Sequence, residues 1–106
     1  MSTNFTHTDD LNLINSCQDR FTIKGFDYKM MQSAFGKMNS VSDKSAGWDI
    51  VLENGTPISI DNRYSDGCDD FPHLGVEQGE WEVRTTDRKA ARIGISEITG
   101  KGLYSF

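Results

Sequence analysis

The 106-residue sequence predicts an α+β fold, with two N-terminal helices packed on a mainly antiparallel sheet of about four to five strands. Three observations carry this expectation. An apolar stripe at helical spacing runs through residues 26–38, an Asn54-Gly55 pair separates two runs of period two, and alternation resumes at Glu80. The two helical patterns are segregated from the run of strand patterns that begins at Trp48, which argues for α+β with an antiparallel sheet.

Thr8-Asp9-Asp10 before Leu11 reads as a helix start, a hydroxyl followed by two carboxylates at the positive end of the dipole. Leu11, Ile14 and Cys17 recur every third residue, so the first helix is expected over about residues 9–18. Phe21 to Lys24 alternates as a short strand or extended link before Gly25. Phe26, Met30, Met31, Ala34, Phe35 and Met38 then form one apolar face, giving a second helix from Asp27 to Met38. Residues 39–47 are small and polar and read as a loop.

Trp48, Ile50 and Leu52 alternate with Asp49, Val51 and Glu53, and Ile58 and Ile60 alternate beyond the turn. Asn54-Gly55 suits a two-residue type I′ turn, because both residues tolerate positive φ. Pro57 cannot donate to a ladder, so its strand is expected at an edge or starting after it. Trp81 and Val83 mark another inward-facing strand. Residues 85–89 read as a turn reaching at most one helical turn to Ala91. Ile93, Ile95 and Ile98 then suggest a further strand, and Leu103 to Phe106 a last one. Trp48, Ile50, Ile58, Ile60, Trp81 and Val83 are the expected sheet core.

Length and composition suit one compact domain over residues 1–106. The longest aliphatic run, Ile50-Val51-Leu52, is far short of the ~20 residues of a membrane-spanning helix. Residues 1–10 carry no basic residue and no apolar stretch, so no secretory signal is read there. A Cys17–Cys68 bridge would add about 4 kcal/mol. Two cysteines are still far from a disulfide scaffold, and reduced thiols in a cytoplasmic protein are expected.

The formal charge of −5 is unevenly distributed. Between Asp43 and Glu82 ten acids face only Lys44 and Arg63, whereas the residues after Glu82 carry an excess of three positive charges. A strongly acidic middle repels phosphate backbones, so nucleic acid is disfavoured as a partner.

Residues 61–78 lack periodicity, and connections of this length are often functional. Asp61, Asp66, Asp69 and Asp70 are the right chemical type for a hard cation. The calcium-loop spacing fails, however, because Tyr64 and His73 fall at ligand positions, so no metal is assigned. Cys68 and His73 lie five residues apart, but the neighbouring carboxylates oppose an activated thiolate. Gly94, Gly100 and Gly102 fit no phosphate-binding motif, and no Gly-x-Ser-x-Gly elbow occurs. No catalytic residue and no cofactor are assigned.

The expected function is therefore a non-enzymatic protein-binding module, of the kind seen among inhibitors, immunity proteins and phage-encoded host-directed proteins. It would act by occluding a basic partner surface. Asp61, Asp66, Asp69, Asp70, Glu77 and Glu80 would steer the encounter, and Tyr64 and Phe71 would supply buried contact. Two rivals remain: an enzyme or ligand- or metal-binding domain using Asp61 to Gly75, and a nucleic-acid binder using Arg84, Arg88, Lys89 and Arg92. Homo-oligomerisation is left open.

Overall fold

The computed structural model describes residues 4–41, 45–63 and 80–100, and for Val41, Ser45, Ala46, Asn62, Arg63 and Glu80 the backbone alone. The expected final strand over Leu103 to Phe106 lies outside the described residues. Carboxylates begin each described helix. Asp10 accepts from the amides of Asn12 and Leu13 ahead of α1 (Leu11–Asn15), so Asp10 rather than Thr8 is the cap. Asp27 accepts from Met30 N at 2.8 Å ahead of α2 (Tyr28–Phe35), and Gly36 ends that helix at φ +83°. Asp87 accepts from Ala90 N ahead of α3 (Arg88–Thr99), which Gly100 closes in the left-handed region. Both expected helices are thus present but shorter than their sequence pattern, because caps and glycine rather than apolar periodicity set their ends.

The strands are β1 (Phe5–His7), β2 (Asp19–Lys24), β3 (Ser40–Val41), β4 (Ser45–Leu52), β5 (Pro57–Arg63) and β6 (Glu80–Thr85). Every pairing is antiparallel, in the order β1-β4-β5-β6-β2, and β3 lies beside β1 on the same edge of β4. The six strands therefore fill five positions. Strands β1 and β3 come from segments that read as terminus and loop. They are too short to show alternation, and Asn39 fixes them by bonding Thr8 O, Asp49 O and Asp49 N.

The largest correction concerns Ile93, Ile95 and Ile98. These belong to α3, not to a strand, and α3 is a third helix among the described residues, absent from the sequence expectation. Ala91, Gly94 and Ile95 form its buried face, with Ile98 half-buried one turn on, while Ile93 points outward. The i, i+2 spacing of Ile93 and Ile95 imitates a strand, yet Ala91, Ile95 and Ile98 keep helical spacing.

The Asn54-Gly55 hairpin forms, but through a three-residue loop. Gly55 N bonds Leu52 O at 2.8 Å, Leu52 N bonds Thr56 O at 2.9 Å, and Gly55 alone takes positive φ. This is a type I turn followed by a glycine bulge rather than a type I′ turn. Pro57 opens a central strand at its first residue, where its missing donor costs little.

One sheet face carries the apolar core. Trp48, Ile50, Ile58, Ile60, Val83, Trp81 and Ile23 pack against Phe26, Met31 and Phe35 on one side and Ala91 and Ile95 on the other. The indole N–H groups of Trp48 and Trp81 donate to Gly36 O at 2.8 Å and Phe26 O at 2.6 Å. The two tryptophans thereby hold both ends of α2 to the sheet, with their rings 5.3 Å apart. A buried indole donor needs such a partner.

Gly47 leaves no room for a side chain against β5, since a Cβ there would meet Ile60 O at 1.6 Å. Replacing Gly47 by alanine forces the strands apart. We expect this variant to lose about 3 kcal/mol of stability, at the upper end of overpacking costs, read as a lowered urea midpoint at unchanged slope. An unchanged midpoint would contradict the close approach.

Candidate functional site

Strand pairing places the polar alternates of four strands on the face opposite the core. Asp49, Ser59, Arg84 and Arg20 stand directly across from one another on β4, β5, β6 and β2. Gly47, Asp61, Glu82 and Thr22 form the next row. Opposed like charges such as Arg84 and Arg20 are unfavourable, and carboxylates of the neighbouring row offset them. Arg84 Nη2 lies 3.3 Å from Asp61 Oδ2 and 3.3 Å from Ser59 Oγ, and Arg20 Nη1 lies 3.8 Å from Glu82 Oε1. Ser59 in turn donates to Asp49 Oδ1 at 2.8 Å.

Helix α1 lies against β5 and covers part of this face. The Cys17 thiol reaches Leu13 O and Pro57 O, each at 3.8 Å. Burial pushes its pKa up; Arg84 pulls against that shift, and Asp49 adds to it. Ser59, Cys17 and Asp61 are only 1%, 4% and 5% exposed. The thiol is met by backbone carbonyls, the serine by Asp49 and Arg84, and Asp61 by Arg84.

The expected contact residues fare differently. Asp61 is no displayed carboxylate; it is buried on β5 and paired with Arg84, so it leaves the contact set. Glu80 opens β6, with its backbone paired to Lys24. Tyr64, Asp66, Asp69, Asp70, Phe71 and Glu77 lie outside the described residues, as do Cys68 and His73. Among the described residues no three His, Cys, Asp or Glu side chains gather as a metal site would require, and no helix is long and apolar enough to cross a membrane.

The basic stretch is also largely committed. Arg84 serves Asp61, and Arg88 bonds Asp19 Oδ1 through Nε at 3.0 Å and Nη2 at 2.6 Å. Arg88 and Arg92 both lie over the Phe21 ring, at 5.9 and 5.2 Å from its centre. Of the four cations assigned to nucleic acid, two already carry a carboxylate. His7 bonds Phe35 O at 2.7 Å through Nε2.

The polar rows were missed because they require the β5–β6 and β2–β6 registers, which join residues far apart in sequence. The odd-numbered alternates of the hairpin were visible; their partners on β6 and β2 were not.

Two expectations follow. Arg84→Met removes the guanidinium that contacts Asp61 and Ser59. Because Arg84 remains 24% exposed, the loss should be about 2 kcal/mol, below that of a fully buried pair, and measurable by urea unfolding. A change within about 0.5 kcal/mol would make the pair a surface contact. The raised Cys17 pKa has a definite sign. Below the ordinary thiol range both folded and unfolded chains keep the proton. Above it the unfolded chain releases its proton first, so this contribution to stability falls as pH rises. The stability difference between the wild type and Cys17→Ala should therefore shrink between about pH 7 and pH 10; a constant difference would refute the shift.

No protein-family model, no curated protein and no solved structure matches this chain, so its functional reading rests on the residues themselves.

Proposed function

We propose that the protein is a small, non-enzymatic, cytoplasmic binding module that occludes a basic surface of another protein, using the acid-rich connection between β5 and β6. One observation carries the reading. Residues 64–79 hold Asp66, Asp69, Asp70 and Glu77 and no lysine or arginine, whereas sheet acids Asp61, Glu82 and Asp19 face Arg84, Arg20 and Arg88. Charge that is matched inside the fold cannot attract a partner; charge left unmatched can.

The scaffold suits such a role. Strands β5 and β6 are hydrogen-bonded neighbours at the centre of the sheet, so the connection leaves and returns at one end, anchored at about one strand spacing. Asp66, Asp69, Asp70, Glu77 and Glu80 would raise the encounter rate with a basic surface. Tyr64 and Phe71 would supply the apolar contact that slows dissociation.

The test compares the wild type with a variant carrying Asp66→Asn, Asp69→Asn, Asp70→Asn and Glu77→Gln. Each is immobilised in native host lysate at low and high salt, and association with the captured protein is then timed. The variant should associate about tenfold more slowly and with a flatter salt dependence. Equal rates and equal salt slopes would overturn the electrostatic reading.

A further inference from the structure

At the opposite end of β5 from that connection, the β4–β5 turn meets α3 and leaves a hollow of about 260 Å³. Leu52, Ala90 and Gly94 line it together with Ile93, which is 51% exposed. Glu53, Asn54 and Glu97 complete the lining. Helix and hairpin come close because position 94 is glycine; a Cβ there would meet Leu52 Cδ1 at 2.7 Å. A second hollow of about 330 Å³ abuts the other side of the same turn and shares Leu52 and Glu53.

We propose that this notch docks a partner polypeptide by one aliphatic side chain, flanked by lysine or arginine. Its volume lies below the ~300–1,000 Å³ of small-molecule pockets, so a side chain fits better than a metabolite. Its lining is apolar at Leu52, Ala90 and Ile93 and acidic at Glu53 and Glu97, with no lysine or arginine among the residues of either hollow. Asn4 Nδ2 donates to Glu53 Oε2 at 3.2 Å, which holds one carboxylate in place. An acidic or wholly apolar segment would desolvate both glutamates without compensation. A second copy joined by two-fold symmetry would set this acidic patch against itself, which like charges oppose.

The notch is also preformed. The bulged turn is closed by its two backbone bonds and α3 by its Asp87 cap, so little ordering accompanies docking. This inference is independent of the acid-rich connection.

Amide chemical-shift titration of the full chain tests it, with acetyl-Lys-Leu-Lys-amide as probe and acetyl-Glu-Leu-Glu-amide and acetyl-Lys-Ser-Lys-amide as controls. The lysine-leucine peptide should give saturable shifts at Leu52 to Gly55 and Ala90 to Glu97, with a dissociation constant on the order of 1 mM. Both controls, and a Glu53→Gln/Glu97→Gln variant, should bind about fivefold more weakly. Ile93→Ser should weaken binding as well, and an unchanged unfolding midpoint would show the fold intact. Neutralising Asp66, Asp69, Asp70 and Glu77 should leave these shifts unaltered. Absent saturation, shifts elsewhere, equal binding of the glutamate peptide, or peptide-free shifts that grow with protein concentration would each overturn the proposal.

Discussion

Strand β5 is buried on both faces, and the contact from Arg84 across to Ser59 and Asp61 makes that burial tolerable. On one side Ile58 and Ile60 enter the apolar core, where burying each contributes about 1.5–3 kcal/mol. On the other side a serine and an aspartate are withdrawn from water, which costs free energy unless hydrogen bonds replace hydration. Arg84 and Asp49 supply those bonds. A slip of one residue between β5 and β6 would put Ile60 among the carboxylates and Asp61 against Trp48 and Trp81. The polar rows therefore specify register more than they add stability.

The same constraint explains the distribution of acidic residues. Asp49, Asp61 and Glu82 belong to the middle of the chain that reads as strongly negative, yet Asp61 and Glu82 face the sheet's own arginines and Asp49 accepts from Ser59. Charge counted along a sequence overstates charge offered to a partner wherever strands of opposite sign are paired. The stretch between β5 and β6 holds no basic residue among positions 64–79.

Local chemistry was legible in the sequence and distant pairing was not. The hairpin follows from residues 48–60 alone, because the alternation and the glycine needed for the turn lie within a few positions of each other. Helix α2 follows from its stripe and from Asp27. Helix α3 did not, since Ile93 and Ile95 mimic period two and Gly94 weakens the helical signal; that glycine answers to Leu52, over forty residues away. Of the expected contact residues, Asp61 was misjudged for the same reason, as its partner Arg84 lies on a strand whose place in the sheet the sequence did not disclose.

Part of the basic C-terminal stretch is engaged inside the fold, through Arg84 and Arg88. Strand β2 is an edge of the sheet, six residues long, and an open edge invites pairing with another chain. Arg88 donates from Nη2 to the Arg20 carbonyl at 2.6 Å and grips Asp19 at the start of the strand. Arg88 and Arg92 together lie over Phe21, the half-buried aromatic of that edge. One helix thus places two bulky cations across the strand and occupies one of its backbone acceptors. A β-strand partner approaching this edge would have to displace a bidentate ion pair and desolvate two guanidinium groups. That cost opposes strand addition at β2.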